Sequence, residues 1–135
     1  MEVDARGGEA PVRSEHDIVL ARQLVRRLTQ KLSFSLVDQT KMVTAASELA
    51  RNALIYGGGG TMRWETRAEG ARNGLRLTFI DEGPGIPNLE LAMSDGWTSG
   101  NGLGMGLSGA RRLVNEFEID SQVGAGTRVS ITRWK

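Results

Sequence analysis

The sequence predicts an α/β two-layer sandwich, in which helices cover one face of a mainly antiparallel sheet. Three observations predict this fold class. Two long runs with apolar residues at helical spacing come first, two pairs of β-rich runs follow, and a short amphipathic run separates the two pairs. Because every apolar face has to be buried against another layer, this order favours hairpins in one sheet packed against helices.

Length and composition indicate one domain with one hydrophobic core. The chain has 135 residues, and 39% of them are hydrophobic, which is typical of a single domain. We predict a flexible tail at residues 1–10, which are rich in glycine and charge, and one domain over residues 11–135. No apolar run reaches the roughly 20 residues that span a bilayer. We therefore expect a soluble, cytoplasmic protein with no membrane partner.

Charge and residue usage exclude several classes of function. Seventeen basic and sixteen acidic residues give a net charge of +1 without a long run of like charges, which argues against nucleic acid as a partner. The chain has no cysteine and one histidine, which excludes disulfides, zinc–thiolate sites and histidine-cluster metal sites. Any metal has to be a hard cation bound through oxygen.

The first elements are predicted to be a short strand and a helix. Pro11–Arg13 is predicted as an edge strand, the position where proline is tolerated in a sheet. Ser14 and Asp17 resemble a capping box in which aspartate replaces the usual glutamate. Apolar residues at helical spacing then predict a helix over about Glu15–Leu32.

A second helix and a hairpin follow. Ser35 and Asp38 form another box-like start, and the helix is predicted to end at Gly57–Gly60, because glycine readily adopts the left-handed conformation of helix ends. The β-rich runs Thr61–Ala68 and Leu75–Asp81 are predicted to pair as a hairpin.

The second half is predicted to contain a loop, a helix and a closing hairpin. A short helix is predicted over Leu89–Ser94, and the glycine-rich segment Asp95–Gly106 is predicted to be a flexible lid. Leu107–Glu116 is amphipathic and predicted to be helical. Phe117–Val123 and Thr127–Trp134 are predicted to pair across a glycine-rich turn.

An acidic residue ends the third predicted strand. Leu75, Leu77 and Phe79 fall on one face of this strand, and Asp81 continues their core-facing row. Burying a carboxylate costs several kcal/mol unless hydrogen bonds offset the cost, so a donor is expected beside it. Two interpretations are open: an acid presented in a pocket, or an ordinary Asp-Glu-Gly turn that closes a hairpin.

A polar pair lies on the second predicted helix. Glu48 and Asn52 are four residues apart and therefore lie on one helix face, beside the apolar stripe. Asparagine can supply a neutral oxygen to a hard cation, and glutamate can act as a base. The alternative is a solvated helix face with no function.

The glycine-rich segment matches a phosphate-binding pattern. Gly104–Gly109 fits the letters of the dinucleotide fingerprint, but only 26 residues follow it. That fingerprint belongs between the first strand and the first helix of a long βαβ unit, so we reject the dinucleotide fold. Backbone amides at a helix N-terminus still bind phosphate oxygens, which leaves phosphate binding as the prediction.

The order of these signals along the chain is more specific than any one of them. The segments are Glu48 with Asn52, Asp81-x-Gly83-x-Gly85, Gly102-x-Gly104-x-Gly106, and Gly126-Thr127 in the last hairpin. This order resembles the GHKL superfamily of ATPases and kinases, which has the Bergerat ATP-binding fold, and the resemblance covers nearly the whole chain. Within that superfamily, the chain is similar to serine/threonine kinases of the anti-sigma-factor type, and most of all to the switch kinases of bacterial stress-response modules.

The resemblance implies an adenine site at one end of the fold. It implies that Asp81 accepts a hydrogen bond from the adenine amino group, which would supply the expected donor. Gly83 and Gly85 would let the backbone pass close to the base. Thr127 would support the adenine site, directly or through water.

The resemblance also implies a site for the phosphates of ATP and for Mg²⁺. Asn52 is implied to be the Mg²⁺ ligand, and Glu48 is implied to be the acid that activates the attacking hydroxyl. Three glycines are implied to form the lid over the triphosphate: Gly102, Gly104 and Gly106. Phosphoryl transfer needs mainly positioning and charge neutralisation, which such a site provides.

The function implied by the resemblance is a protein kinase. It would transfer the γ-phosphate of ATP to a STAS-domain partner in a partner-switching stress-signalling pathway, and would also activate a PP2C-type phosphatase. One alternative is an anti-sigma or partner-binding module that holds nucleotide without essential catalysis, although a pure binder needs no acid at Glu48. A detached histidine-kinase domain is a third possibility, which the lack of a helical dimerisation segment with an acceptor histidine argues against.

Overall fold

The computed structural model of the chain describes residues 6–86, 93 and 105–135. The order of its elements confirms the predicted order. In sequence they are β1 (Gly7–Val12), α1 (Glu15–Lys31), α2 (Leu36–Ile55), β2 (Gly60–Glu69), β3 (Arg72–Asp81), α3 (Met105–Arg112), β4 (Glu116–Gln122) and β5 (Gly126–Trp134).

The five strands form one sheet in the order β1-β2-β3-β5-β4, and every pairing between them is antiparallel. The predicted two-layer α/β fold with an antiparallel sheet is therefore confirmed. Pro11 lies in the edge strand β1, where a missing N–H is tolerated. A core-facing row crosses all five strands through Ala10, Met62, Phe79, Val129 and Ile119.

Helix α2 lies at the centre of the packing. It contacts α1, α3 and the strands β1, β2, β3 and β5. Its buried side chains include Met42 and Leu49, which join Leu28 of α1 and Leu77 of β3 in one hydrophobic core. Among the helices of the described residues, none is long and apolar enough to cross a membrane.

Both long helices begin at a serine cap, as predicted. Ser14 Oγ accepts a hydrogen bond from the N–H of Asp17 at 3.1 Å, and Ser35 Oγ accepts one from the N–H of Asp38 at 3.1 Å. The reciprocal half of the predicted capping box does not form. The Asp17 carboxylate accepts from the N–H of Arg13, and the Asp38 carboxylate binds a distant arginine.

That arginine is Arg133, near the end of β5. One guanidinium nitrogen lies 2.6 Å from Asp38 Oδ1, and the other donates to the carbonyl oxygen of Leu113 at 2.9 Å. The Arg133 side chain is only 14% exposed. It ties the start of α2 and the segment after α3 to the sheet, and its hydrogen bond lowers the pKa of the Asp38 carboxyl.

Several boundaries differ from the predicted ones. Strand β1 begins at Gly7 rather than Pro11, because residues 7–10 of the predicted flexible tail pair with β2. The predicted turn Glu69–Gly74 shrinks to residues 70–71, because the ladder continues to the pair Glu69 and Arg72. Helix α3 starts at Met105 and ends at Arg112, so that Glu116 begins β4.

Other predictions fall outside the described residues. These are residues 1–5 of the tail, residues 95–104 of the lid, and the helix at Leu89–Ser94, of which only Met93 is described.

Candidate functional site

Three polar side chains share a cross-strand row at one end of the sheet. Asp81 of β3 pairs with Thr127 of β5, which in turn pairs with Ser121 of β4. The row lies in phase with the apolar row of Phe79, Val129 and Ile119 two residues away, so it belongs to the face that the helices cover. The fold therefore presents a carboxylate and two hydroxyls at the edge of the core.

Asp81 is half-buried, and its carboxylate accepts a hydrogen bond from the backbone. The N–H of Gly83 donates to Asp81 Oδ1 at 2.9 Å. Burial raises the pKa of the Asp81 carboxyl, and the backbone N–H groups of Gly83 and Thr127 act in the opposite direction. A carboxylate has about four acceptor positions, so this one can still accept hydrogen bonds from a ligand.

The structure bears on both interpretations of Asp81. The bond from the N–H two residues later is the local contact of a turn led by aspartate. The strand register nevertheless places Asp81 on the core-facing side, as the alternation predicted.

The glycines after Asp81 allow close backbone packing. A Cβ on Gly83 would overlap the Cα of Gly57, at the end of α2, and would lie 2.9 Å from the carbonyl oxygen of Tyr56. Gly85 has a φ of +77°, and a Cβ there would overlap the carbonyl group of Gln122. Gly83 and Gly85 therefore allow the loop after Asp81 to pack directly against the backbone of neighbouring segments.

The turn between β4 and β5 holds this loop. The N–H of Gly124 donates to the carbonyl oxygen of Pro84 at 2.8 Å, and the N–H of Ile86 donates to Ser121 Oγ at 2.8 Å. Ser121 Oγ also lies 2.8 Å from Thr127 Oγ1 and 3.2 Å from the carbonyl oxygen of Gly126. One hydroxyl therefore links the loop after Asp81 to the neighbour of Asp81 in the sheet.

Glu48 and Asn52 lie on α2, on one face and both half-buried. Within the ranges that the structure describes, neither side chain has a hydrogen bond or an ion pair. At 1.5 Å per residue, Asn52 and Glu48 lie about 6 and 12 Å back along the helix axis from Tyr56. The same helix end packs against Asp81 through Gly57, so the two polar groups extend away from the Asp81 row.

The predicted phosphate lid is described only at its end. Gly102 and Gly104 lie outside the described residues, whereas Gly106 is the second residue of α3. Helix α3 packs against α2, the helix that carries Glu48 and Asn52.

The donor set is compatible with Mg²⁺ bound together with phosphate. The described residues contain no group of three histidine or acidic side chains that could hold a metal ion alone. Mg²⁺ usually keeps several waters and binds through one or two protein ligands plus substrate phosphates. The unpaired amide oxygen of Asn52 fits the role of one such ligand.

Sequence reasoning missed two residues of this region, Gly57 and Ser121. A Cβ on Gly57 would overlap Asp81 Cβ and Cγ, so only glycine fits there. Ser121 had a usable signal, because it continues the core-facing row of Phe117 and Ile119 just as Asp81 continues the row of β3.

Comparison with known protein families gives one match across most of the chain. Residues 37–135 match the family described as histidine kinase-, DNA gyrase B-, and HSP90-like ATPase. This span includes all the predicted site residues, from Glu48 to Thr127.

Two similar proteins of known name cover nearly the full length. The chain is 43% identical over 123 residues to the serine/threonine-protein kinase RsbT of Bacillus subtilis (strain 168), which covers 91% of this chain and 92% of that protein. It is 32% identical over 132 residues to the anti-sigma F factor of Clostridium beijerinckii, covering 90% of this chain and 87% of the other.

Solved structures share the fold at low sequence identity. The RsbU and RsbW domains of a Mycobacterium tuberculosis protein superpose with a TM-score of 0.64 at 19% identity, covering 96% of this chain but only 33% of that one. The mycobacterial sensor histidine kinase MprB superposes with a TM-score of 0.57 at 17% identity, covering 94% and 96% of the two chains. These likenesses concern the fold alone.

Proposed function

The chain belongs to the histidine kinase-, DNA gyrase B- and HSP90-like ATPase family, and from this we propose that it is an ATP-dependent protein kinase that phosphorylates serine or threonine. The observation that carries the proposal is the 43% identity to a serine/threonine-protein kinase across 91% of the chain. The arrangement of polar groups along α2 and at the end of β3 supports it. The proposal includes a cytoplasmic location, which suits a protein that uses ATP.

Adenine binds at the Asp81 end of the site in this proposal. The exocyclic amino group of adenine is a hydrogen-bond donor, and Asp81 has acceptor positions that the bond from the Gly83 N–H leaves open. Thr127, the neighbour of Asp81 in the sheet, contributes a hydroxyl on the same face.

The phosphates extend from the base along α2 towards Glu48. The order of Asp81, Asn52 and Glu48 along the helix matches the order of base, metal-bound phosphate and transferred phosphate. Asn52 would hold Mg²⁺, which when bound neutralises charge on the phosphate oxygens. Gly102, Gly104 and Gly106 would close over the triphosphate and donate backbone N–H groups to it.

Glu48 acts as the base in the transfer step. The hydroxyl oxygen of the partner's serine or threonine attacks the γ-phosphorus, its proton passes to the Glu48 carboxylate, and the bond between the γ-phosphorus and the bridging oxygen breaks. The products are a phosphoprotein and ADP. Glu48 is half-buried and has no ion pair with any residue that the structure describes, so its carboxylate is available for this role.

The proposed substrate is a STAS-domain protein of a partner-switching stress-signalling pathway. After phosphorylating this antagonist, the kinase would bind and activate a PP2C-type phosphatase. The similarity to a kinase and to anti-sigma F factors supports a partner-switching role in general.

The test is a phosphorylation assay with ATP, Mg²⁺ and a candidate STAS-domain protein. We expect an acid-stable phosphoprotein from the unaltered protein. Glu48→Gln should lower the rate constant of transfer by about 10²- to 10⁴-fold, the usual contribution of a general base, with unchanged ATP affinity. Glu15→Gln, a matched change of an exposed glutamate on α1, is the control and should transfer at the normal rate.

Similarity to the anti-sigma F factors favours a second candidate function, a nucleotide-dependent module that regulates a partner by binding it. Glu48 separates the two candidates, because binding alone does not need a base. If Glu48→Gln cells regulate the pathway normally although transfer is lost in the assay, the binding module is the correct function.

A further inference from the structure

We propose that the N-terminal half of α2 is the docking surface for the protein that carries the acceptor hydroxyl, and that this partner places an acidic side chain on Lys41 and an apolar side chain on Val37. The inference rests on the proposed function, because it concerns how the protein substrate reaches the same site. It assigns a role to two residues of α2 that the nucleotide site does not use.

The direction of phosphate transfer determines the side from which the acceptor enters. In phosphoryl transfer, the attacking and leaving oxygens lie roughly in line on opposite sides of the phosphorus. In the proposed site, the base lies at the Asp81 end, and Glu48 takes the proton of the attacking hydroxyl. The acceptor therefore approaches from the side of Glu48 that faces away from Asp81, over the half of α2 that begins at Leu36.

Lys41 and Val37 continue the helix face of Asn52 and Glu48. In the order Val37, Lys41, Glu48 and Asn52, the residues are four, seven and four positions apart, and these spacings return to the same side of an α-helix. At 1.5 Å per residue, Lys41 lies about 10 Å and Val37 about 16 Å beyond Glu48 along the helix axis. A partner bound over this face can therefore present its hydroxyl at Glu48.

Lys41 supplies the positive charge of this surface. Its side chain is partly exposed, and within the described parts of the chain it has neither an ion pair nor a hydrogen bond. Asp38, one turn away, has its carboxylate bound by Arg133 at 2.6 Å, although Lys41 also contributes to the lowered pKa of Asp38. Lys41 can thus bind a carboxylate of a partner without breaking an ion pair of its own.

Val37 supplies an apolar contact beside that charge. Val37 and its neighbour Leu36 are 63% and 72% exposed, more than any other large hydrophobic side chain in the helices that the structure describes. Removing apolar surface from water is favourable, so a partner that covers these two side chains gains affinity. The charge and the apolar patch together select a partner surface that is both acidic and apolar.

The experiment measures steady-state transfer from saturating ATP to the STAS-domain protein of the phosphorylation assay, at varied concentrations of that protein. Lys41→Gln should raise the KM for the protein substrate about threefold to tenfold without changing kcat, because docking is the same in the ground state and the transition state. The effect should shrink as added salt screens the charges. Lys41→Arg should restore the KM, and Val37→Ser should raise it as Lys41→Gln does.

The matched controls are Arg67→Gln and Val123→Ser. Arg67 is an exposed cation on the face of the sheet that the helices leave uncovered, and Val123 is 72% exposed in the β4–β5 turn at the base end of the site. Neither control should change the KM for the protein substrate. All these variants replace side chains that are at least partly exposed, so we expect unchanged ATP affinity and normal thermal unfolding.

A second measurement detects the contact directly. The chain has no cysteine, so Val37→Cys and Val123→Cys each carry a single thiol that can be labelled with a photoreactive maleimide. On illumination, we expect the label at position 37 to cross-link to the STAS-domain protein and the label at position 123 not to do so.

Three results would contradict these expectations. Cross-linking of position 37 only to a second copy of the chain would show that a homodimer covers this surface and would overturn the inference. An unchanged KM in both Lys41→Gln and Val37→Ser would overturn the inference alone, because transfer by the unaltered chain would still support the proposed function. Failure of the unaltered chain to transfer phosphate would overturn the proposed function and the inference together.

Discussion

We expect the charge of Asp81 to lower the stability of the nucleotide-free protein and to strengthen ATP binding. Asp81→Asn separates the two effects. The substitution is nearly isosteric and keeps one oxygen, which can still accept from the N–H of Gly83. It replaces the other oxygen with an NH₂ group. In the complex with ATP, the variant therefore lacks one acceptor for the adenine amino group, and its new NH₂ group, a donor, faces that amino group, which is also a donor.

The size of the effect follows from the cost of an unsatisfied buried polar group. That cost is about 1–3 kcal/mol, which corresponds to roughly 5- to 150-fold weaker ATP binding. GTP should be affected in the opposite direction, because the carbonyl oxygen of guanine accepts from the new NH₂ group. The ratio of the two dissociation constants is thus a more specific measure than either constant alone.

The stability of the nucleotide-free protein, unlike its ATP affinity, should not fall in Asp81→Asn. Burial raises the pKa of Asp81 in the folded protein, which means that folding favours the neutral form of this carboxyl. Between the unfolded and folded pKa values, acidification therefore stabilises the apo protein, since the folded state binds the proton more tightly. By the same reasoning, Asp81→Asn should melt at the same or a higher temperature than the unaltered protein at pH 7.

Two measurements test these expectations, calorimetric titration with ATP and GTP and thermal unfolding without nucleotide. Asp120→Asn is the matched control, an exposed carboxylate on the edge strand β4, and should change neither property. Unchanged ATP affinity in Asp81→Asn would refute the proposed contact with the base and leave Asp81 as a turn residue. A clear drop in melting temperature would refute the reasoning about burial.

Two further predictions concern stability. Asp38→Asn should lower the free energy of unfolding by about 2 kcal/mol at pH 7, because it leaves the mostly buried Arg133 without its counter-charge. Since Arg133 lowers the pKa of Asp38, this contribution is fully present above the unfolded pKa and is lost as pH falls through the folded pKa, so the difference in urea unfolding should be largest at pH 7 and should shrink progressively as the pH is lowered into the acidic range. Gly57→Ala should displace Asp81 and so lower both the stability of the fold and the affinity for ATP. Gly109→Ala in α3 is the control: a Cβ there meets no neighbouring atom, and the change should stabilise the protein by about 0.5–1 kcal/mol. Equal unfolding curves for the two variants would contradict the packing of Gly57 against Asp81.

The fold was predictable because its elements have strong local signals. Helix caps at Ser14 and Ser35, the glycines after α2 and the alternation in β3 fix the type and order of the elements. The boundaries were less predictable, because they depend on pairing between distant segments. Strand β1 extends to Gly7 only because β2 offers a partner as far as Glu65.

The candidate site was predictable where a polar residue continues an apolar row. Asp81 was found in this way, and Ser121 gives the same signal in β4. Gly57 could not be found from local pattern, because its constraint is a contact with Asp81 across the fold. Which residues lie opposite each other depends on strand register and loop path, and single-sequence periodicity does not determine either.

Arg133 gives the same sequence signal as Asp81, and the structure shows that the hydrogen-bond partners of the two side chains differ. Arg133 continues the core-facing row of Val129 and Ile131 at the opposite end of β5. Its two terminal nitrogens bind a carboxylate and a carbonyl of the same chain, its Nε is buried without a partner among the described residues, and little of the side chain is exposed. Among the described residues, Asp81 accepts from the N–H of Gly83 and keeps acceptor positions open at the sheet end.

A polar residue at the end of an apolar row can therefore be structural or functional, and the difference lies in what satisfies it. If the chain itself supplies the counter-charge, as Arg133 and Asp38 do for each other, substitution should change stability and leave ligand binding intact, as expected for Asp38→Asn. If a carboxylate keeps acceptor positions open at the end of the sheet, a ligand can fill them, and substitution should change binding more than stability, as expected for Asp81→Asn. Measuring both properties for both variants tests this distinction directly, and the same pattern of effects in the two variants would contradict it.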